Sequence, residues 1–324
     1  MTATHYDRSA QDVGNLYSLE HVNLQIDDQG LATTFYVTGL GLTRDPYMMT
    51  GTRMMWINAG RNQFHLVQGP PQVVGGYIGL VMPDQQALLE RLASVAAQLA
   101  GTSFSYAEEA DYVRVVCPWG NRFRIHPPGP EWRRMTLGMP YIEIEVAGGT
   151  AQAIAKFYLQ VVGAPATVRE YRGATAACVQ IGLGQELIFS ETTLSLRPFD
   201  GHHIQVYVTN FSGLHRRLPE LGLITEESNE HQYRFDTITD LQSGRALARV
   251  EHEVRSVGHP LFERPLINRN PAQSNVSYGA GLDAYVPPDT AKQMDDPRLR
   301  GMLAGCAAVD ATGVVHAAKE PRDA

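Results

Sequence analysis

Short runs of alternating apolar and polar residues recur along the chain, and they predict β-strands that are buried on one face. The first run is LEHVNLQI at 19–26, and a helical stretch around 31–37 and the turn GLGL follow it. Three more strand-like runs complete the unit, which ends in NQFHLVQGPP. The pattern predicts one strand, one helix and then three strands within about 50 residues.

The same order of elements returns three more times. GGYIGLVMPD opens the second copy, MPYIEIEVAGG the third and GHHIQVYVTN the fourth. A segment rich in Pro and Gly, PPGPEWRRMTLGMP, separates the second copy from the third. We therefore predict four βαβββ modules in two domains, at 1–132 and 137–255, followed by an irregular tail at 256–324.

Several motifs within this order resemble the vicinal-oxygen-chelate superfamily, which includes glyoxalase I, bleomycin resistance proteins and extradiol dioxygenases. They are the strand EHVNLQI, the motif FYVTGLGL and the turn PWGN in the first half, and FYLQVVGAP and HHIQVYV in the second. The looser DLQSGR replaces the usual acidic-Pro-x-Gly-Asn turn. The resemblance covers about residues 18–255. It implies an α+β fold in which the four modules pair into two cupped mixed β-sheets with helices outside.

Strand alternation predicts which side chains face the cup, because successive residues of a strand point to opposite faces. In the first strand, Val22 and Leu24 face the helices, which leaves His21 in the cup. The same alternation in the other strands places these polar residues in the cup: His65, His203, Gln205, Tyr207, Arg249, Glu251 and Glu253. It selects Glu251 over His252.

In metal-dependent members of the superfamily, each module offers one ligand position at the start of its first strand and another on its last strand. On this resemblance the first module offers His21 and His65, and the fourth offers His203 and Glu251. Pairing these two modules predicts one divalent metal ion bound by all four residues. Glu251 falls three residues later than the family spacing after Gly244. Glu253, which the alternation places on the same face, is its nearest substitute.

The second and third modules offer poorer ligands, chiefly Tyr77, Arg124 and Tyr141, and their pairing predicts a cup without a metal. We expect these three residues, with Gln205 and Arg249, to bind substrate.

Imidazole and carboxylate ligands suit Fe, Ni, Co, Mn or Zn. The resemblance implies a metal-dependent lyase or isomerase of the glyoxalase type that acts on a small molecule with vicinal oxygens. Glu251, Glu253 and Tyr207 are its candidate catalytic residues. An Fe(II) ring-cleaving dioxygenase is the first alternative, although Tyr141 stands where those enzymes have a histidine. A metal-free binding or resistance protein is the second.

Composition and charge indicate which classes of partner and which cell compartment to expect. A net charge of -7 and a pI near 5.9 argue against a nucleic-acid binder. No apolar run approaches the ~20 residues that span a bilayer. Cys117, Cys178 and Cys306 are far apart, which favours a reducing compartment. The polar start of the chain lacks a signal-peptide core, so we expect a cytoplasmic protein of a bacterial kind, with a homodimer left open.

Overall fold

A computed structural model describes residues 11–45 and 53–268, together with the backbone of two short strands at 308–309 and 315–316. Within these residues the four predicted βαβββ modules are present in the predicted order. The first contains β1 Leu16–Ile26, α1 Gln29–Ala32, β2 Thr43–Arg44, β3 Met54–Ala59 and β4 Asn62–Gln68. The second contains β5 Gly76–Val81, α2 Gln85–Val95, β6 Ser105–Glu108, β7 Val113–Val116 and β8 Arg122–His126.

A single 3-10 turn, Pro130–Trp132, lies in the segment that joins the two halves. The third module contains β9 Gly138–Ala147, α3 Ala151–Phe157, β10 Ala166–Tyr171, β11 Ala174–Gly182 and β12 Gln185–Thr192. The fourth contains β13 His203–Val208, α4 Phe211–Glu220, β14 Ile224–Asn229, β15 Gln232–Thr239 and β16 Ala246–Ser256.

The strands form two mixed eight-stranded sheets, and each sheet combines one module from each half of the chain. Sheet I has the order β14-β15-β16-β13-β1-β4-β3-β2, so the first module pairs with the fourth. Sheet II has the order β10-β11-β12-β9-β5-β8-β7-β6, so the second pairs with the third. The α+β fold with paired cupped sheets is confirmed. The boundaries at 132, 137 and 255 stay a prediction, since the described residues up to 265 form one compact unit.

The helices cover the apolar faces of the sheets, and the alternation in the sequence explains why. Val22, Leu24, Phe64, Ile204 and Val206 are buried in one continuous hydrophobic cluster. Their neighbours in sequence point to the opposite, polar face. We call the polar concave face of sheet I the first cup and that of sheet II the second cup.

Three of the four α-helices begin at a side chain that caps their first turn. The side chains of Asp28, Asp84 and Asn210 accept hydrogen bonds from the first backbone N–H groups of α1, α2 and α4. In the first and third modules the helix continues as a π-helical segment, at Thr33–Gly39 and Tyr158–Val162. These segments coincide with the two FY motifs, which supports the repeat.

Two buried amides join sheet I to sheet II where β1 and β9 approach each other. Asn62 donates to the carbonyl of Leu19 and accepts from the N–H of Met139, both at 2.7 Å. Gln185 donates to the carbonyls of Leu19 and Met139, both at 3.1 Å. The two sheets are therefore linked through polar bonds in addition to the apolar core.

The predicted tail begins as turns after β16, and most of it lies outside the described residues. The described residues beyond 265 belong to a second unit, in which Ala308–Val309 (β17) pairs antiparallel with Val315–His316 (β18). In the part of the chain that the structure describes, no helix is long and apolar enough to cross a bilayer. Cys117 and Cys178 are buried and free, while Cys306 lies outside the described residues.

Candidate metal centre

Four adjacent strands of sheet I, β4, β1, β13 and β16, place two rows of polar side chains across the first cup. One row runs Gln63, His21, Gln205, Glu253 and the other runs His65, Asn23, His203, Glu251. Residues that pair across strands share a face of the sheet. The register therefore brings residues from the two ends of the chain into one site.

Within this array, His21, His203 and Glu253 converge. One donor atom from each of these buried residues lies within 4.8 Å of the others. His65 and Glu251 flank this group without belonging to it. The structure thus brings together two of the four predicted ligands, with Glu253 as the nearby carboxylate.

Register explains why Glu253, and not Glu251, has the place that corresponds to His65. Gln63 pairs with His21, and His65 lies two residues further along β4. On the other side, Glu251 pairs with His203, and Glu253 lies two residues further along β16. In the pseudo-symmetry of the two modules, His65 and Glu253 are therefore equivalent positions.

Each converging histidine is backed by a carboxylate. His21 Nδ1 lies 3.2 Å from Glu20, and His203 Nδ1 lies 3.5 Å from Glu251. Histidines that bind metals usually donate their second ring N–H to a carboxylate or a carbonyl, which fixes the tautomer. The two contacts favour ligation through Nε2 at both histidines.

A β-bulge brings Glu20 to His21. In the β1–β13 register, Leu19 and His21 oppose consecutive residues of β13, so that Glu20 is the extra residue. A bulge breaks the simple alternation of a strand and redirects side chains. Glu20 also contacts Arg255 Nη1 at 3.3 Å and accepts a hydrogen bond from Tyr207.

The donor set fits a divalent transition metal. Burial lowers the pKa of His21 to about 4 despite its contact with Glu20, so this imidazole is neutral, as a ligand must be. Among the described residues, His21 Nε2 has no hydrogen-bond partner although it is buried. Two imidazoles and one carboxylate suit Fe, Co, Ni, Mn or Zn.

Arginines surround the Glu253 carboxylate. Arg234 Nη2 donates to Oε2 at 2.6 Å, and His203 Nε2 lies 3.3 Å from the same oxygen. Arg255 Nη2 is 2.7 Å from Oε1, but its N–H is not aligned with that oxygen, which accepts no hydrogen bond within the described part of the chain. Burial favours a raised pKa, but the contact with His203 and the positive charge of Arg255 lower the pKa of Glu253 overall.

Glu251 is held outside the converging group. Its carboxylate accepts a hydrogen bond from Arg234 Nη1 at 2.7 Å, so that the Arg234 guanidinium bridges Glu251 and Glu253. Glu251 is also more exposed than Glu253, with 22% and 4% of the side chain accessible.

His65 is stacked between two rings. Its centroid lies 3.6 Å from that of His21 and 3.8 Å from that of Trp56, and its Nε2 contacts Gln63 at 3.1 Å. Burial is the main cause that lowers the pKa of His65 strongly. In this conformation His65 supports His21 from the side.

Solved structures with this arrangement of modules are known. Glyoxalase I from Zea mays matches 74% of this chain and 92% of its own, with 11% sequence identity and a TM-score of 0.53. A Bacillus subtilis protein named as a candidate dioxygenase matches 78% and 92%, with 14% identity and a TM-score of 0.50. The chain has the vicinal-oxygen-chelate fold. No protein-family model and no curated protein sequence matches it significantly.

Among the described residues, the second cup contains no group of three His, Cys, Asp or Glu side chains whose donor atoms converge. Arg124 lies over the ring of Tyr77, 3.5 Å from its centroid, and forms a buried ion pair with Glu143. Tyr141 contacts His126 Nε2 at 2.9 Å. Tyr77, Arg124 and Tyr141 are therefore in a different sheet from the His21 group, and their substrate role stays a prediction.

Arg249 also lies away from the converging group. It forms an ion pair with Asp236, lies over the ring of Phe199, and lines a surface cleft of roughly 260 Å³ with His202. That cleft contains none of the predicted metal ligands, so the first cup remains the better candidate for chemistry.

Tyr207 and Gln205 do face the first cup. Tyr207 donates to Glu20 at 3.3 Å, and burial followed by the charge of Glu20 raises its pKa. Arg234 and Glu20 were not predicted from the sequence. Arg234 pairs with Glu253 in the β15–β16 register, so strand pairing is the signal that finds it. Glu20 lies on a bulge, which alternation alone does not reveal.

Proposed function

We propose that this protein is a metal-dependent vicinal-oxygen-chelate enzyme, a lyase or isomerase of the glyoxalase type that acts on a small molecule with vicinal oxygens. The convergence of His21, His203 and Glu253 in the first cup carries this proposal. We assign Glu253 as the third ligand in place of Glu251. A bound divalent ion supplies Lewis acidity that polarises substrate oxygens.

The residues around the proposed ligands have three further roles: they orient the ligands, accept a proton and donate a hydrogen bond. Glu20 and Glu251 orient His21 and His203 through Nδ1. Glu251 is a better candidate for the general base than Glu253, because it is partly exposed and lies beside the proposed metal centre. Tyr207 keeps its proton at neutral pH, because its pKa is raised, and can donate it as a hydrogen bond.

Metal content tests the proposal most directly. The purified full-length protein should bind about one divalent ion per chain. His21→Ala and His203→Ala should each lose it, because each removes one of three ligands. Tyr141→Phe is the matched control in the second cup and should keep the metal. Full metal content in His21→Ala or His203→Ala would reject the site.

A ring-cleaving dioxygenase is a second candidate, since two histidines and one carboxylate are also the ligand set of non-haem Fe(II) oxygenases. The two activities separate by oxygen uptake. The Fe(II)-loaded protein consumes oxygen with catechols only if this alternative holds. A protein that binds no metal but retains a small molecule would instead be a binding or resistance protein.

We expect the substrate to be a small molecule. Location in the cytoplasm and assembly as a homodimer stay predictions.

A further inference from the structure

Gln205 lies in the middle of the first cup, opposite His21 and beside Glu253 in the strand register. Its side chain is 0% exposed, and neither its amide nitrogen nor its amide oxygen has a hydrogen-bond partner within the described residues. A buried amide with both ends unsatisfied lowers stability, and native proteins seldom keep one. The unsatisfied amide of Gln205 therefore points to a bound ligand that supplies the missing hydrogen bonds.

Gln63 shows how a buried glutamine of this cup is normally bonded. It lies in the same row, and its amide nitrogen donates to Asp45 at 3.0 Å and to Asn58 at 2.6 Å. Its amide oxygen contacts His65 at 3.1 Å. Gln205 has the same chemistry without these partners. A ligand that satisfies both of its ends must present an acceptor and a donor close together, as a hydroxyl group next to a second oxygen does.

The charged side chains of the first cup indicate which charge a ligand there should have. Three arginines and four carboxylates form ion pairs around the candidate centre: Arg234, Arg255, Arg264, Glu20, Asp45, Glu251 and Glu253. With the imidazoles neutral, as metal ligation requires, this set carries one negative charge. A divalent ion changes it to one positive charge.

Glu226 alters this balance little. Glu226 lies 3.6 Å from Arg234 Nε, but its side chain is 52% exposed and is screened by water. A net positive charge at a site shielded from water favours a ligand with one negative charge.

We propose that the first cup binds a small monoanion with a hydroxyl group next to its carboxylate or oxo group, and that Gln205 is the specificity-determining residue that recognises this pair of oxygens. The inference rests on the proposed function, because the charge balance assumes a bound divalent ion. The Gln205 amide donates to the acceptor oxygen and accepts from the hydroxyl. The excess positive charge of the loaded site attracts the anion.

Co(II) provides a test that does not depend on activity, since ligand binding changes its visible absorption. The full-length Co(II)-loaded protein is titrated with lactate, with the neutral analogue lactamide, and with pyruvate, which lacks the hydroxyl. We expect lactate to bind about tenfold more tightly than lactamide. Gln205→Leu should weaken lactate binding about tenfold and pyruvate binding clearly less, because pyruvate needs only the donor end.

Stability gives a second readout. Gln205→Leu should raise the melting temperature of the metal-free protein, because an unsatisfied amide is replaced by an apolar group of similar size. Gln63→Leu is the matched control and should lower it, because Asp45, Asn58 and His65 lose a partner.

The outcomes separate this inference from the proposed function. If the protein does not bind Co(II), the proposed function fails. If it binds Co(II) but lactamide equals lactate, or lactate causes no spectral change at tens of millimolar, the anionic ligand is rejected. If Gln205→Leu binds lactate like the wild type, a buried water satisfies the amide and its recognition role is rejected.

Discussion

At the scale of single residues, Glu251 and Glu253 show that position along a strand decides which of two identical side chains joins the proposed metal site. Both are glutamates on β16, both face the first cup, and both accept a hydrogen bond from Arg234. Glu253 lies with His21 and His203, whereas Glu251 stands behind His203 at its Nδ1. The two glutamates are therefore a matched pair for asking which one binds the metal.

We expect Glu253→Gln to lower metal affinity far more than Glu251→Gln. The first change replaces a proposed ligand, while the second removes an outer partner of a ligand, which typically costs about 10- to 100-fold in affinity. Each variant removes one of the two carboxylates that pair with Arg234. Competition with a chromophoric chelator measures both affinities, and the reverse order would restore Glu251 as the ligand.

At the scale of elements, the residues that follow the hairpin turns hold the sheets together. Asn62 follows the β3–β4 turn, and Gln185 follows the β11–β12 turn; both bond to Leu19 on β1 and Met139 on β9. Equivalent positions in two modules thus meet at one junction. This junction fixes the place of β1, which carries His21.

Asn62→Ala should reduce the free energy of unfolding by about 2 kcal/mol, because it leaves the buried N–H of Met139 without its acceptor and removes one of the two donors to the carbonyl of Leu19. Asn210→Ala is the control, since it removes only the local cap of α4 and should cost about 1 kcal/mol. Urea denaturation measures both. Equal losses would show that the junction adds nothing beyond a local hydrogen bond.

At the scale of the whole molecule, the segment after β16 returns to the first module. Arg264 forms an ion pair at 2.7 Å with the buried Asp45. Phe262 packs edge-on against Tyr207 and Tyr17, with ring centroids 4.9 Å and 5.2 Å away. The contacts of Arg264 with Asp45 and of Phe262 with Tyr17 join residues more than two hundred positions apart. All three contacts bring the chain past the rim of the first cup.

Arg264→Met should destabilise the protein by about 3 kcal/mol, because it removes the cationic partner of a buried carboxylate. Asp45→Asn in the same background should recover part of this loss, since a neutral amide tolerates burial better. A double-mutant cycle by thermal denaturation measures the coupling. Additive effects would mean that the pair contributes nothing beyond its separate members.

The sequence by itself determined the modules and the faces of their strands. Alternation separates Val22 and Leu24 from His21, and the repeated order of strand and helix signals predicts four βαβββ units. These features are local, because the period of a strand or helix is contained in a few consecutive residues. The resemblance of the motifs then led to His21 and His203.

Only the tertiary structure decided which of these residues meet. Alternation leaves Glu251 and Glu253 on the same face, and the register of β16 against β13 distinguishes them. The bulge at Glu20 and the pairing of Arg234 with Glu253 also depend on neighbouring strands. Register and bulges are relations between segments distant in sequence, so the pattern within one strand does not contain them.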